Sequence, residues 1–191
     1  LYWTGIRASQ GSAAELSGRF LPVWDGTTDP LVTTAAVALS GTSAVNQVWT
    51  LGRIDLNGTN IAAVQDMDLQ LNVTPEEVLD SGEAYISYAG INTFQPELTF
   101  RTRDTALFNT YGSTGTALTS FEIYLRKRSA SGINVSDATV EHIKISNASA
   151  AGTIKARSVS GLNGMAEVFV QINKPSAAAD PFAINTAIAI T

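Results

Sequence analysis

The chain has 191 residues, of which 45% are hydrophobic, and carries a formal net charge of −5; at this length a single domain buries about 70% of its unfolded surface. It contains no cysteine, which excludes a disulfide framework, a thiolate metal site and a cysteine nucleophile. The acidic balance disfavours proteins that bind nucleic acid by neutralising phosphates, and no apolar run approaches the length of about 18 residues that suggests a membrane span.

The N-terminal segment is rich in Ser, Ala and Gly. It includes the sequence SQGSAAELSG and lacks the sustained apolar stripe of an amphipathic helix. We therefore expect residues 1–17 to form an arm that is flexible or is ordered by a partner. The remaining residues, 18–191, are predicted to form a single β-sandwich domain.

Two extended segments follow the predicted arm. Phe20, Val23 and Trp24 predict a first strand, and a loop rich in turn residues comes after it. Residues 31–40, with the sequence LVTTAAVALS, predict a buried strand because β-branched and apolar residues favour strands over helices.

The clearest local signal is Asn57-Gly58, which lies between two runs of alternating apolar residues. A type I′ turn needs positive φ at both central residues, and Asn-Gly favours it strongly, so we predict a tight hairpin here. From Met67 to Val73 apolar and polar residues alternate strictly, as in a half-buried strand. Asp66 and Asp68 share its polar face and would suit a hard cation, although alternation alone places them there.

Residues 74–83 predict a short helix. Thr74 suits the N-cap, Pro75 suits the first helical position, and Glu76 and Glu77 suit the first turn because carboxylates favour the positive end of the helix dipole. Residues 84–91 then predict a strand.

Residues 95–128 predict a strand, a short helix that lies across the sheet and a returning strand. Leu98 and Phe100 alternate with polar residues in the first strand. Asp104 suits a helix N-cap, because its carboxylate accepts the free amide hydrogens of the first turn, and Gly112 suits the helix end. The returning strand has the alternating sequence FEIYLRKR.

Beyond a polar excursion, further strands are predicted at residues 138–148, 152–161, 165–175 and 182–191. The chain thus contains about nine or ten predicted strands and at most two short helices. This pattern predicts a mainly β fold, an antiparallel β-sandwich or an open barrel with one or two short helices.

Catalytic signals are scarce. His142 is the single histidine, and we expect it to be a half-exposed residue of a strand. No nucleophile or metal motif accompanies it, so we predict that the protein is not an enzyme and has no catalytic, cofactor-binding or metal-binding residues.

The basic run from Arg126 to Arg128 ends a predicted strand. It suits either a solvated strand end or a contact with an acidic patch on a neighbouring subunit. Charged residues make up only 15% of the chain, against about a quarter in typical domains. Such a surface is either covered by partner subunits or is an uncharged surface of Ser and Thr side chains that water solvates.

Several stretches between residues 48 and 191 follow one another in a characteristic order. They are WTLGRIDLNGTNIAAVQDMDLQL, GINTFQPELTFRTRDTALFNTYG, FEIYLRKRSASG, ATVEHIKIS and the closing TAIAI. Together they resemble virion structural proteins of tailed bacteriophages, and most closely the tail tube, or major tail, proteins.

The resemblance implies a tail-tube-like fold whose subunits form hexameric rings that stack into a tube around a DNA-conducting lumen. It implies assembly in the host cytoplasm, location in the virion tail, other virion proteins as partners, DNA only as passing cargo, and neither a membrane nor a cofactor. A long loop and a terminal arm usually connect the rings in such proteins. The matching candidates for inter-subunit contacts are Arg126, Lys127, Arg128, Ile133, Val135, Tyr2 and Trp3.

Two other classes of protein fit the same sequence pattern. One is another viral structural protein, such as a capsid, decoration or collar protein. The other is a β-sandwich carbohydrate-binding module that uses Trp3, Trp24 or Trp49 as a stacking platform.

Overall fold

A computed structural model describes residues 2–27, 47–80, 82, 85–129, 131–147, 152–158, 164–173 and 182–190. The described residues form two large antiparallel sheets, a separate two-stranded sheet and one short helix. The elements are β1 (Tyr2–Ser9), β2 (Glu15–Arg19), β3 (Val48–Leu56), β4 (Thr59–Ile61), β5 (Val64–Gln70), β6 (Val73–Val78), β7 (Tyr88–Phe94), β8 (Glu97–Thr102), α1 (Leu107–Tyr111), β9 (Thr116–Ala117), β10 (Phe121–Arg128), β11 (His142–Asn147), β12 (Gly152–Ser158), β13 (Ala166–Ile172) and β14 (Phe182–Ile188).

The two large sheets enclose one hydrophobic core, which confirms the prediction of a mainly β, antiparallel sandwich-like fold. The seven-stranded sheet has the order β2-β1-β5-β8-β13-β12-β9, and the five-stranded sheet has the order β14-β11-β10-β3-β4. Both contribute alternate side chains to the core, as the period of a half-buried strand requires. Its largest fully buried members include Phe100, Phe121, Leu51, Ile54, Leu69, Leu98, Ile123, Ile145 and Ile154.

The predicted hairpin at Asn57-Gly58 is confirmed. The two residues have φ values of 51° and 74° and connect β3 to β4, as a type I′ turn requires. Strand β5 follows at once but joins the other sheet, where it pairs with β1 and β8. This short connection therefore passes the chain from one layer of the sandwich to the other.

A bulge in β3 changes which residues face the core. Ile54 pairs with Ile123 and Leu51 with Leu125, so two residues of β3 oppose Tyr124 alone. The bulge needs a glycine, because a Cβ on Gly52 would lie 2.7 Å from the carbonyl oxygen of Tyr124.

The N-terminal segment is not an arm. Its residues form β1, which pairs with both β2 and β5, and the predicted domain boundary at residue 18 falls inside β2. Ile6 and Ala8 are buried while Arg7 between them is exposed. The prediction was wrong because this short alternation, interrupted by small residues, does not produce a strong apolar pattern.

The predicted helix at residues 74–83 is also wrong. Its first residues belong to β6, which is paired with β7. Pro75 suited a helix start, but it lies at a register shift of the strand pair, where a residue without an amide hydrogen is tolerated. The strand predicted at 84–91 begins later, at Tyr88.

Other local predictions had mixed outcomes. Phe20 is exposed and Val23 forms only an isolated bridge to Ile86, so no strand forms there. Residues 31–40 lie outside the described part of the chain. The pair β12 and β13 and the final strand β14 are confirmed.

The predicted helix after β8 is confirmed as α1, with Gly112 at its C-cap. Ala106 rather than Asp104 occupies the N-cap position. Asp104 lies two residues before the N-cap, and its Oδ1 accepts a hydrogen bond from the Ala106 amide at 3.1 Å. No helix in the described ranges has the length and apolar composition needed to cross a membrane.

Candidate assembly surfaces

The first two residues of the basic run form ion pairs within the chain. Nη2 of Arg126 donates to Oδ2 of Asp137 at 2.8 Å. Nζ of Lys127 lies 3.2 Å from Oε2 of Glu141. Both acidic partners follow β10 in the chain, so these ion pairs hold the connection between β10 and β11 against the sheet.

Arg128 connects β10 to the turn between β1 and β2. Its Nη1 donates to the carbonyl oxygen of Gly11 at 3.0 Å. Because all three basic residues have contacts within the chain, their first role is to stabilise the fold. A contact with another subunit through them stays a prediction.

The segment after β10 folds back on the strand instead of forming an open loop. The amide of Ser129 donates to the carbonyl oxygen of Ile133 at 2.8 Å, and the amide of Val135 donates to that of Lys127 at 3.0 Å. Val135 is half-buried, whereas Ile133 is 69% exposed. Of these two predicted contact residues, Ile133 therefore presents the larger apolar surface.

His142 is completely buried, so the prediction of a half-exposed residue is wrong. Its Nδ1 accepts a hydrogen bond from the Lys127 amide at 3.1 Å, and its Nε2 lies 3.0 Å from the carbonyl oxygen of Ser136. A neutral imidazole has one donor and one acceptor nitrogen, so this environment assigns the proton to Nε2. Both nitrogens are bound to backbone groups, and the ring joins the β10–β11 connection to the sheet.

A polar cluster lies on the face of β3, β10 and β11 that points away from the hydrophobic core, and sequence reasoning missed it. Oη of Tyr124 donates to Oε2 of Glu122 at 2.6 Å, and Nζ of Lys144 donates to Oε1 of Glu122 at 3.1 Å. Arg53 forms an ion pair with Asp55 at 2.6 Å, and its guanidinium lies 5.7 Å from the centroid of the Tyr124 ring. The alternation of Glu122 and Tyr124 in FEIYLRKR was the available signal.

Ionisation within this cluster follows from its contacts. Burial, and then the hydrogen bond to Glu122, raises the pKa of Tyr124 to about 12. Burial disfavours the charged form of Glu122, but hydrogen bonds from Tyr124 and Lys144 outweigh it and lower the pKa of this carboxyl. The cluster therefore holds a neutral phenol beside a carboxylate, which stabilises the sheet.

The paired carboxylates of β5 have arginine partners. Nε of Arg101 donates to Oδ1 of Asp66, and Nε of Arg7 donates to Oδ2 of Asp68, both at 2.9 Å. In the part of the chain that the structure describes, no group of three or more His, Asp or Glu side chains is arranged to hold a metal ion.

An apolar cleft of about 390 Å³ lies between the two sheets. It receives side chains from one edge strand of each sheet, namely β2 and β14. Among the predicted contact residues, Trp3 lines this cleft and is 46% exposed, while Tyr2 is half-buried beside it. The cleft is lined by Trp3, Ile6, Ala14, Leu16, Trp49, Leu69, Leu71, Leu125, Ile143, Ile145, Phe182 and Ile184.

Two of the three tryptophans, Trp3 and Trp49, line the apolar cleft, and Trp24 is not part of its lining. Nε1 of Trp49 donates a hydrogen bond to the carbonyl oxygen of Glu141 at 3.3 Å, while its ring lines the same apolar cleft as Trp3. Trp24 is half-buried, and its amide donates to the carbonyl oxygen of Ile86.

The β6–β7 hairpin stands apart from both large sheets. Within the described residues its two strands pair only with each other. An isolated bridge between Val23 and Ile86 binds the turn end of the hairpin, and an edge-to-face contact between the rings of Phe94 and Phe182 connects its base to the sandwich. Four of its large hydrophobic side chains are nevertheless exposed, namely Val78, Leu79, Tyr88 and Ile91.

Searches against protein-family models, curated proteins and solved structures find no match for this chain.

Proposed function

We propose that this chain is a virion structural protein, a self-assembling subunit of a phage tail tube that forms stacked rings around a DNA-conducting lumen. The observation that carries the proposal is the exposed β6–β7 hairpin. It presents four large hydrophobic side chains to solvent and is paired with no other described strand.

A hairpin of this kind needs a partner for physical reasons. An isolated two-stranded sheet is marginally stable in water, and clustered exposed apolar side chains mark interaction surfaces. Burying Leu79, Tyr88 and Ile91 against another subunit would stabilise both the hairpin and the contact. The exposed Ile133 and Trp3 offer further apolar surface for neighbours.

The tail-tube assignment in particular comes from the resemblance in strand order and sequence described above. The basic run supports it indirectly. Because Arg126 and Lys127 hold the β10–β11 connection in place, the exposed Ile133 in that connection is presented in a defined position, as an inter-ring contact requires.

The test is the assembly state of the purified protein. Light scattering over a dilution series is expected to show association that increases with concentration, and negative-stain electron microscopy is expected to show sixfold rings and tubes. A monodisperse monomer at high concentration, with neither rings nor tubes, would refute the proposal. Trimers or pentamers would instead favour a capsid, decoration or collar protein.

A further inference from the structure

We propose that β2, at the open edge of the seven-stranded sheet, pairs antiparallel with β2 of a second copy of this chain about a two-fold axis at Ser17. Strand β2 is the outermost strand on its side of the sheet, and no described strand pairs with its outer edge. Every residue of β2 is exposed. An open edge of this kind presents backbone amide and carbonyl groups that can pair with a strand of another molecule.

The two faces of β2 differ in chemistry. Glu15 and Arg19 lie on one face, because side chains separated by an even number of residues in a strand point the same way. Leu16 lies on the other face, where it is paired with the buried Ile6 of β1. Gly18 shares the face of Leu16. A partner for this edge must therefore match a charged face and an apolar face at the same time.

The charged face is complementary to itself. Glu15 and Arg19 are equally far from Ser17 in the sequence, so antiparallel pairing about Ser17 places Glu15 of each copy directly opposite Arg19 of the other. Two equivalent ion pairs result, and opposite charges at directly opposed positions stabilise a strand pair. Within one chain, neither residue has an ion-pair partner among the described residues. Arg7, which is paired with Glu15 in the sheet, forms its ion pair with Asp68 instead.

The apolar face is complementary in size. In the same register, Leu16 of each copy lies opposite Gly18 of the other, so each large side chain meets a residue that has none. A Cβ on Gly18 would lie 3.0 Å from Cε3 of Trp3 in its own chain, so the Trp3 ring flanks the space that Leu16 of the second copy enters. Leu16 is 53% exposed and Trp3 is 46% exposed. Their contact removes apolar surface of both copies from water, which is favourable.

The same relation holds one residue beyond each end of β2. Phe20 is 80% exposed, and extending the register by one residue places it opposite Ala14 of the second copy. In the sequence AELSGRF, residues 14–20, each residue before Ser17 thus faces one of opposite charge or contrasting size. Any shift of the register separates both ion pairs, and complementarity of this kind favours one partner and one register. It identifies a second copy of this chain as the partner.

The contact is isologous, because the same strand serves both copies, and it joins two seven-stranded sheets into one continuous sheet. A two-fold contact closes on itself, whereas rings and tubes need head-to-tail contacts between different surfaces. The inference therefore goes beyond the proposed function. It describes the subunit before it enters a ring, and its test does not require rings to form.

Charge substitutions in the full chain test the ion pairs. Glu15→Arg and Arg19→Glu each place like charges opposite one another on both sides of the axis. Each is expected to raise the dissociation constant of the dimer about tenfold. The double variant with both substitutions is the matched control, because it restores opposite charges across the axis. We expect this double variant, and an equimolar mixture of the two single variants, to dimerise like the wild type in sedimentation velocity, with circular dichroism verifying the fold.

A cysteine at the axis tests the register. The chain contains no cysteine, so Ser17→Cys introduces a single thiol that lies opposite its equivalent in the second copy. Mild oxidation is expected to give a disulfide-linked dimer on a non-reducing gel. Ser113→Cys, at an exposed serine in the turn after α1, controls for random oxidation and is expected to stay largely unlinked.

The outcomes separate this inference from the proposed function. Rings and tubes in micrographs, without a dimer that responds to the charge substitutions, would overturn the inference and leave the proposed function standing. A dimer at the β2 edge without rings or tubes would have the opposite meaning. The inference is also overturned if both single variants dimerise as well as the wild type, or if neither the double variant nor the mixture recovers dimerisation. If a charge variant fails to fold, cross-linking decides: equal linkage of Ser17→Cys and Ser113→Cys would refute the pairing.

Discussion

Asn57 is expected to stabilise the fold more than a turn residue usually does. Its Oδ1 accepts hydrogen bonds from the amides of Thr119 and Ser120 at 2.7 and 3.2 Å and from the Thr119 hydroxyl at 2.9 Å. Its Nδ2 donates to the carbonyl oxygen of Ala117 at 2.9 Å. One side chain therefore connects the β3–β4 turn to the segment that leads into β10.

Substitutions separate the contribution of the side-chain hydrogen bonds of Asn57 from that of its positive φ. Each hydrogen bond contributes about 1 kcal/mol, and less where water can replace it, while positive φ costs an alanine about 1 kcal/mol. We expect Asn57→Ala to lower the free energy of unfolding by about 3 kcal/mol. Asn57→Gly, which tolerates a φ of 51°, is expected to lose about 2 kcal/mol, and Asn57→Asp, which keeps the acceptor, about 1 kcal/mol.

Urea unfolding followed by circular dichroism measures these values. All variants are compared at one low protein concentration, because assembly shifts apparent stability by mass action. A loss below about 0.5 kcal/mol for Asn57→Ala would refute the reasoning, since a loss this small is typical of an ordinary surface position. Equal losses for alanine and glycine would refute the contribution of positive φ.

Two further predictions concern buried polar groups. The stability that Tyr124 contributes is expected to be fully present below its unfolded pKa of about 10 and to be lost as the pH rises through its folded pKa of about 12. The free energy of unfolding is expected to fall by roughly 2–3 kcal/mol over this window. Urea unfolding of Tyr124→Phe at the same pH values should not show this fall. If the variant and the wild type have the same pH dependence, Tyr124 is not its source. His142→Ala is expected to cost about 3 kcal/mol, because it leaves a void and removes the partners of the Lys127 amide and the Ser136 carbonyl; a loss under about 1 kcal/mol in the same assay would show that the ring is not a structural link.

Local sequence patterns predicted much of the fold because the relevant forces are local. Asn57-Gly58 specifies its turn through backbone conformation alone. Leu98 and Phe100 lie on the buried face of β8 because strict alternation leaves one orientation that buries both. The helix end at Gly112 likewise depends on a glycine that adopts positive φ.

Local signals failed where a distant strand decided the conformation. Residues 74–83 carry good helix-start residues, but pairing with β7 places them in a strand. Residues 2–9 have a weak apolar pattern, yet β5 and β2 pair with both of their edges. Tertiary hydrogen bonding outweighs propensities worth only fractions of a kcal/mol per residue.

The candidate surfaces depend even more on the tertiary structure. The sequence predicted Trp3 and Ile133 as contact residues through the tail-tube resemblance. It did not predict the apolar cleft, because the residues that line it come from strands far apart in the chain. It also gave no indication that Arg126 and Lys127 have partners within the chain, since Asp137 and Glu141 approach them only when β10 and β11 pair.

By itself the sequence determined a mainly β chain without cysteine, with a type I′ hairpin and alternating core strands, because turn conformation and strand period are properties of neighbouring residues. Only the tertiary structure decided which strands lie at the sheet edges, that His142 is buried, and that the cleft and the β6–β7 hairpin are separate apolar surfaces. Those features depend on pairing and packing between residues that are distant in the chain, and local sequence patterns do not reveal such contacts.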